Sequence, residues 1–176
     1  KKNLPTTNWM TFKFLSKNFY ISFSIVALIY FLDRLSKIYV IQLDKNNLGS
    51  DIFNSAYLNI VLIWNKGIAF GLFSFDESHL YNILSLIISI IVVILVIMSL
   101  KSHGFKRYSL LMIVGGALGN LHDRIFFNAV PDFIDFHVGN FHWFIFNVSD
   151  IFITLGVISM IILEIADNRT EKQNND

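Results

Sequence analysis

Five segments of this 176-residue chain carry the side chains best suited to chemistry: Asp33 with Lys37, Asn65 with Gly67, Asn120 with Asp123 and Arg124, Asp132, and Asn147 with Asp150. Carboxylates, amides and cations of this kind can exchange protons with a substrate or line a path for a polar solute. Their setting singles them out, because most lie in or beside long apolar runs. An ionisable group in hydrocarbon is costly and is by default a candidate for function. Cysteine is absent, which removes disulfides, thiolate metal sites and thiol nucleophiles together. No H-E-x-x-H or G-x-S-x-G occurs, so zinc-peptidase and hydrolase-type serine chemistry lack their signatures. Ser36 adjoins Lys37, but adjacent helix positions do not face each other, which counts against a serine–lysine pair. His79, His103, His122, His137 and His142 are scattered along the chain. No metal and no cofactor is expected.

Each group also has a structural reading. Asp33 and Lys37 can form an ordinary i,i+4 helix pair. Asn120, Asp123 and Arg124 can satisfy a helix end at an interface. Asn147 can cap a helix whose third residue, Asp150, caps it in return. Asn65 and Gly67 by themselves suit a turn. What favours a shared site is common depth, and depth is set by the elements that carry these residues.

The chain is 54% hydrophobic and 15% charged, against about a quarter charged in soluble domains. Its solvent is lipid. A formal net charge of +1 gives no reason to expect nucleic acid as a partner. Four stretches, about 19–42, 80–100, 108–125 and 147–166, are long enough to cross about 30 Å of hydrocarbon at about 1.5 Å per residue. Residues 80–100 carry no charge at all. The first stretch reads as an uncleaved span, because it is too long for a secretory leader and no small-residue cleavage site follows. Gly115 and Gly119 have the spacing that lets helices pack closely in a membrane.

Positive charge is unequally shared among the connections. Lys1, Lys2, Lys13 and Lys17 precede the first span, Lys101, Lys106 and Arg107 separate the second from the third, and Arg169 and Lys172 follow the fourth. Both termini and the 101–107 loop are therefore expected on the cytoplasmic side, with 43–79 and 126–146 outside. Two hairpins are expected in those outer connections. One runs from Ala56–Trp64 through Asn65-Lys66-Gly67 to Ile68–Phe73, the other from Phe133–Val138 through Gly139-Asn140 to Phe141–Phe146. The predicted fold class is an all-α membrane protein, a single domain over 1–176. It has four transmembrane helices and a small extracytoplasmic β-sheet built from the two outer connections.

This orientation brings the polar residues of four of these segments, those holding Asp33 and Lys37, Asn120 to Arg124, Asp132, and Asn147 and Asp150, to one depth near the outer interface. A transporter or channel would need them at several depths, yet the second span is apolar from Ile83 to Met98 apart from serines. A purely structural membrane subunit leaves the convergence unexplained.

The motifs resemble those of the lipoprotein signal peptidases, the type II signal peptidases. Asp33-Arg34-Leu35-Ser36-Lys37 is similar to the family's D-x-x-x-K, and Asn65-Lys66-Gly67-Ile68-Ala69-Phe70-Gly71 to its N-x-G-x-A-F. Gly119-Asn120-Leu121-His122-Asp123-Arg124 resembles G-N-x-x-D-R, and Val130-Pro131-Asp132-Phe133 resembles V-x-D-F. Phe146-Asn147-Val148-Ser149-Asp150 resembles F-N-x-A-D, with Ser149 in place of alanine. Each motif is weak alone, but five in family order are specific.

The resemblance implies Asp132 and Asp150 as catalytic aspartates, with Asn120, Arg124 and Asn147 supporting them. Asp33, Lys37, Asn65, Gly67, Ala69, Phe70 and Asp123 match further motif positions. It implies an aspartic endopeptidase of the bacterial inner membrane with its site near the outer face. The implied substrate is a prolipoprotein, cut just before its diacylglyceryl-modified cysteine, and the expected enzyme is a monomer among membrane lipids. Two such carboxylates can share one proton, so that one activates water while the other donates to the scissile carbonyl.

Overall fold

The computed structural model describes residues 17–46, 52–67 and 78–175. Helix α1 spans Lys17–Asn46, α2 Ser78–Lys101, α3 Gly104–Phe127 and α4 Val148–Asn175. Strands β1 (Phe53–Asn54) and β2 (Leu58–Asn65) lie between α1 and α2. Strands β3 (Val130–Val138) and β4 (Phe141–Phe146) lie between α3 and α4. The chain is thus mostly helical with one small antiparallel sheet of order β1-β2-β3-β4. Both the α1–α2 and the α3–α4 connections contribute to it.

Three helical stretches among the described residues are long and apolar enough to cross a membrane: Tyr81–Lys101, Gly104–Phe127 and Val148–Asn168. Helix α1 occupies the position expected of a first span but is not one of those three, and it carries Asp33, Arg34 and Lys37 within its length. Helix α1 has no Gly or Pro to stop it and outruns the expected 19–42 at both ends. Helix α4 likewise continues past residue 166 through a polar segment that lacks a breaker.

Helix α3 is the centre of the bundle, packing against α4, α1 and α2. Small residues set its distance from two of them. A Cβ on Gly115 would lie 2.9 Å from Cβ of Ile29, and one on Gly119 would lie 2.6 Å from Oδ2 of Asp33. The expected glycine pair therefore meets α1 at two positions, themselves four residues apart. Helix α3 ends at Asn128, whose φ of 53° is left-handed, a conformation asparagine tolerates better than most residues. That reversal sends the chain back as β3, over the polar end of the bundle.

The hairpin expected over Phe133–Phe146 forms, with Gly139 at φ +58° in the turn between β3 and β4. The first hairpin differs. Strand β2 pairs with β1 on one side and with β3 on the other, in a register that sets Asn65 opposite Val130. The returning strand expected over 68–73 lies outside the described residues. Of the two partners seen, β1 lies a few residues upstream, whereas β3 comes from far along the chain.

Candidate active site

Register and capping explain how the two aspartates approach each other. Asn65 faces Val130, so Asp132, two residues on, lies on the same side of the sheet within diagonal reach. Asn65 Nδ2 donates to Asp132 Oδ2 at 2.8 Å, and Asn65 Oδ1 accepts the Gly67 N–H at 2.8 Å. On α4, Asp150 N–H donates to Asn147 Oδ1 and Asn147 N–H to Asp150 Oδ2, each at 3.1 Å. This is a reciprocal capping box. The remaining group of Asn147, Nδ2, donates to Asp132 Oδ1 at 2.6 Å. One buried asparagine therefore bonds to both acids, so the capping reading and the functional reading describe the same residue.

Asn120 Nδ2 donates to the other oxygen of Asp150 at 2.8 Å. The orientation of that amide follows from its neighbour, because Lys37 Nζ donates to Asn120 Oδ1 at 2.8 Å. Lys37 is 1% exposed and also meets Asp123 Oδ2 at 2.7 Å and Asp33 Oδ2 at 3.0 Å. Arg34 completes this group with a two-pronged contact to Asp123 (2.5 and 2.7 Å) and a bond to Asp33 at 2.9 Å. Two acids and two cations make a buried cluster with no net charge. The second oxygen of Asp33 accepts the Ser149 N–H at 3.0 Å, tying the start of α4 to α1. Arg124 donates to Asn120 O at 3.2 Å and to Gly67 O at 3.1 Å, tying the residues after β2 to α3.

Asp132 and Asp150 both line a cavity of about 350 Å3, together with Asn65, Asn120 and Arg124. Its far end is apolar, formed by Ile88 of α2, Ala117 of α3 and Ile153, Val157 and Ile158 of α4. Asp132 is 4% exposed. Burial pushes its carboxyl up to about 6, the nearby Asp150 charge adds to the rise, and the Asn65 and Asn147 amides and Lys37 oppose it.

The sequence-predicted residues thus fall into two adjoining groups. Asn65, Asn120, Arg124, Asp132 and Asp150 meet at the cavity, with Asn147 and Gly67 bonded behind them. Asp33, Lys37 and Asp123 form the ion cluster and reach the cavity group through Asn120. Ala69 and Phe70 lie outside the described residues. Sequence reasoning passed over Arg34, although a second cation beside Asp33 in an apolar helix was a usable signal. It also gave no sign of the Ser149 N–H, since a backbone donor carries none. His122 bonds Tyr30 at 2.9 Å, and His137 and His142 stack on the sheet beside Asn59 and Asp135. Among the described residues, no group of three or more His, Cys, Asp or Glu is placed to hold a metal ion.

Residues 25–166 match the family model described as signal peptidase (SPase) II. The chain belongs to this family. The matched stretch of signal peptidase II contains both residue groups, from Asp33 to Asp150. The chain is 46% identical over 160 residues to the lipoprotein signal peptidase of Pelagibacter ubique (strain HTCC1062), covering 90% of this chain and 96% of that protein. It is 44% identical over 136 residues to the one from Anaplasma phagocytophilum (strain HZ), covering 76% and 85%. A solved bacterial membrane enzyme superposes with a TM-score of 0.68 at 29% identity, covering 84% of this chain and 89% of that one.

Proposed function

We propose that this protein is a lipoprotein signal peptidase working as an aspartic endopeptidase, with Asp132 and Asp150 as its catalytic pair. It removes the signal peptide from prolipoproteins just before the diacylglyceryl-modified cysteine. The observation that carries this is one cavity lined by two carboxylates from different elements, both bonded to Asn147. In this proposal α1 is the fourth membrane span, both termini are cytoplasmic, and the sheet and cavity lie near the outer face of a bacterial inner membrane. The basic 101–107 loop, at the end of the bundle away from the sheet, supports that orientation.

Asp150 starts in the ionised form, which the beginning of a helix favours by about 0.3–1 kcal/mol. Asp132, with its raised affinity for a proton, starts as the acid. Asp150 takes a proton from a water as the water oxygen attacks the scissile carbonyl carbon, and Asp132 gives its proton to the carbonyl oxygen. The tetrahedral intermediate then collapses. Its C–N bond breaks, the nitrogen takes the proton held by Asp150, and a hydroxyl proton of the intermediate returns to Asp132. The apolar end of the cavity, between α2 and α4, suits a hydrophobic substrate that enters from the bilayer.

The test is cleavage of a lipid-modified precursor by purified wild type, Asp132→Asn and Asp150→Asn. Both variants are expected to fold and to lose turnover, and a chelator is expected to leave the wild type active. Near-wild-type turnover in either variant would sink the two-aspartate assignment.

A further inference from the structure

A second cavity of about 470 Å3 lies at the other end of the bundle. Helices α1 and α2 pack on α3 rather than on each other, which leaves a groove between them floored by α3. Phe23 and Val26 of α1, Val96 and Leu100 of α2, and Leu111 and Leu118 of α3 line it. Phe23 and Leu100 are more than 60% exposed, so the groove opens sideways to lipid rather than into the protein. Its polar end holds Arg107.

The charge at that end is specific in its placing. Arg107 Nη2 donates to Ser22 Oγ at 2.6 Å and to Asn18 O at 3.1 Å, which fixes the guanidinium against α1. Among the described residues, its Nη1 and Nε make no hydrogen bond, so part of the donor fork is free. Lys101 and Lys106 stand exposed close by in sequence, and neither has an acidic residue between it and Arg107. From Arg107 to Leu118 the helix rises about 16 Å, roughly half of a ~30 Å hydrocarbon core. The groove is therefore one leaflet long, with a cation at the water boundary and aliphatic walls to mid-membrane.

We propose that this groove binds one anionic phospholipid from the leaflet bordering the 101–107 loop, its phosphate on Arg107 and one acyl chain along α3. A guanidinium held in place, with free donors, matches a phosphate in charge and geometry, and basic pockets between spanning helices are recognised headgroup sites. The site is separate from the aspartate cavity, and its test reads binding rather than cleavage, so it stands or falls independently of the catalytic assignment.

The full chain carrying Leu100→Trp is reconstituted in phosphatidylcholine vesicles containing a minor fraction of brominated-chain phosphatidylglycerol or brominated-chain phosphatidylcholine. Quenching is measured against the same chain without that tryptophan. Phosphatidylglycerol should quench at a lower fraction than phosphatidylcholine. Arg107→Gln should weaken that preference by about tenfold, the scale of one charge-assisted hydrogen bond, and Arg107→Lys should retain part of it. Val26→Phe, which narrows the groove and leaves Arg107 in place, should reduce quenching by both lipids. Equal quenching by the two lipids overturns the proposal. So does a preference that survives Arg107→Gln but falls with Lys101→Gln or Lys106→Gln, the signature of diffuse surface charge, or quenching indifferent to Val26→Phe.

Discussion

Both oxygens of Asp132 accept amide hydrogens, one from Asn65 and one from Asn147, and these bonds work against the burial that raises its proton affinity. The protonated form is the one the mechanism needs, so kcat/KM should fall as pH rises through about 6. Asn65→Ala removes a bond that favours the ionised form, and its falling limb should move to higher pH; a pH profile of precursor cleavage checks both. The same shift bears on stability. A carboxyl that holds its proton more tightly when folded favours the fold fully below its ordinary 3.8, and that contribution is lost as pH rises through about 6. Ser149 supplies a separate test. Its hydroxyl is buried without a hydrogen-bond partner among the described residues, while its backbone N–H does the work of holding Asp33. Ser149→Ala should keep activity and raise unfolding stability by about 1 kcal/mol, measured by thermal or denaturant unfolding in micelles.

Helix α3 holds the other elements at fixed distances, and Gly119 is where that spacing is tightest. A methyl group there must displace the Asp33 carboxylate and the Ser149 side chain together. Gly119→Ala should cost about 1–3 kcal/mol of stability. It should also lower turnover, because moving the start of α4 moves Asp150; unfolding and cleavage assays on one preparation measure both effects. The helices were legible in the sequence because long apolar runs and glycine spacing are local signals. Their ends were less so. Residues 167–175 are polar, and nothing in their composition says whether a helix stops at the membrane or runs on. The β2–β3 pairing was hidden for a different reason. A turn-like Asn65-Lys66-Gly67 announces a reversal but not the strand that pairs across it, and register with residues 130–138 is a tertiary choice. The candidate site was legible as a set of residues at one depth. That Asn147 bonds both acids, and that Lys37 orients Asn120, follows from side-chain geometry no linear motif encodes.

Across the whole molecule, the sheet and the aspartate cavity sit at one end of the bundle and the basic 101–107 loop at the other. A chain without cysteine makes the proposed orientation directly measurable. Asn140→Cys, in the β3–β4 turn, should react with a membrane-impermeant maleimide in intact cells, and Ser102→Cys should react only after permeabilisation. The reverse pattern would invert the topology. Adjoining the cavity, at the sheet end, is the cluster of Asp33, Arg34, Lys37 and Asp123, whose formal charges cancel. A transmembrane voltage does work on net charge, about 2.3 kcal/mol per elementary charge carried across 100 mV. A quartet with no net charge leaves that field only a dipole to act on. In the proposed orientation, precursor cleavage in sealed vesicles should therefore be unchanged when a potential is imposed across them.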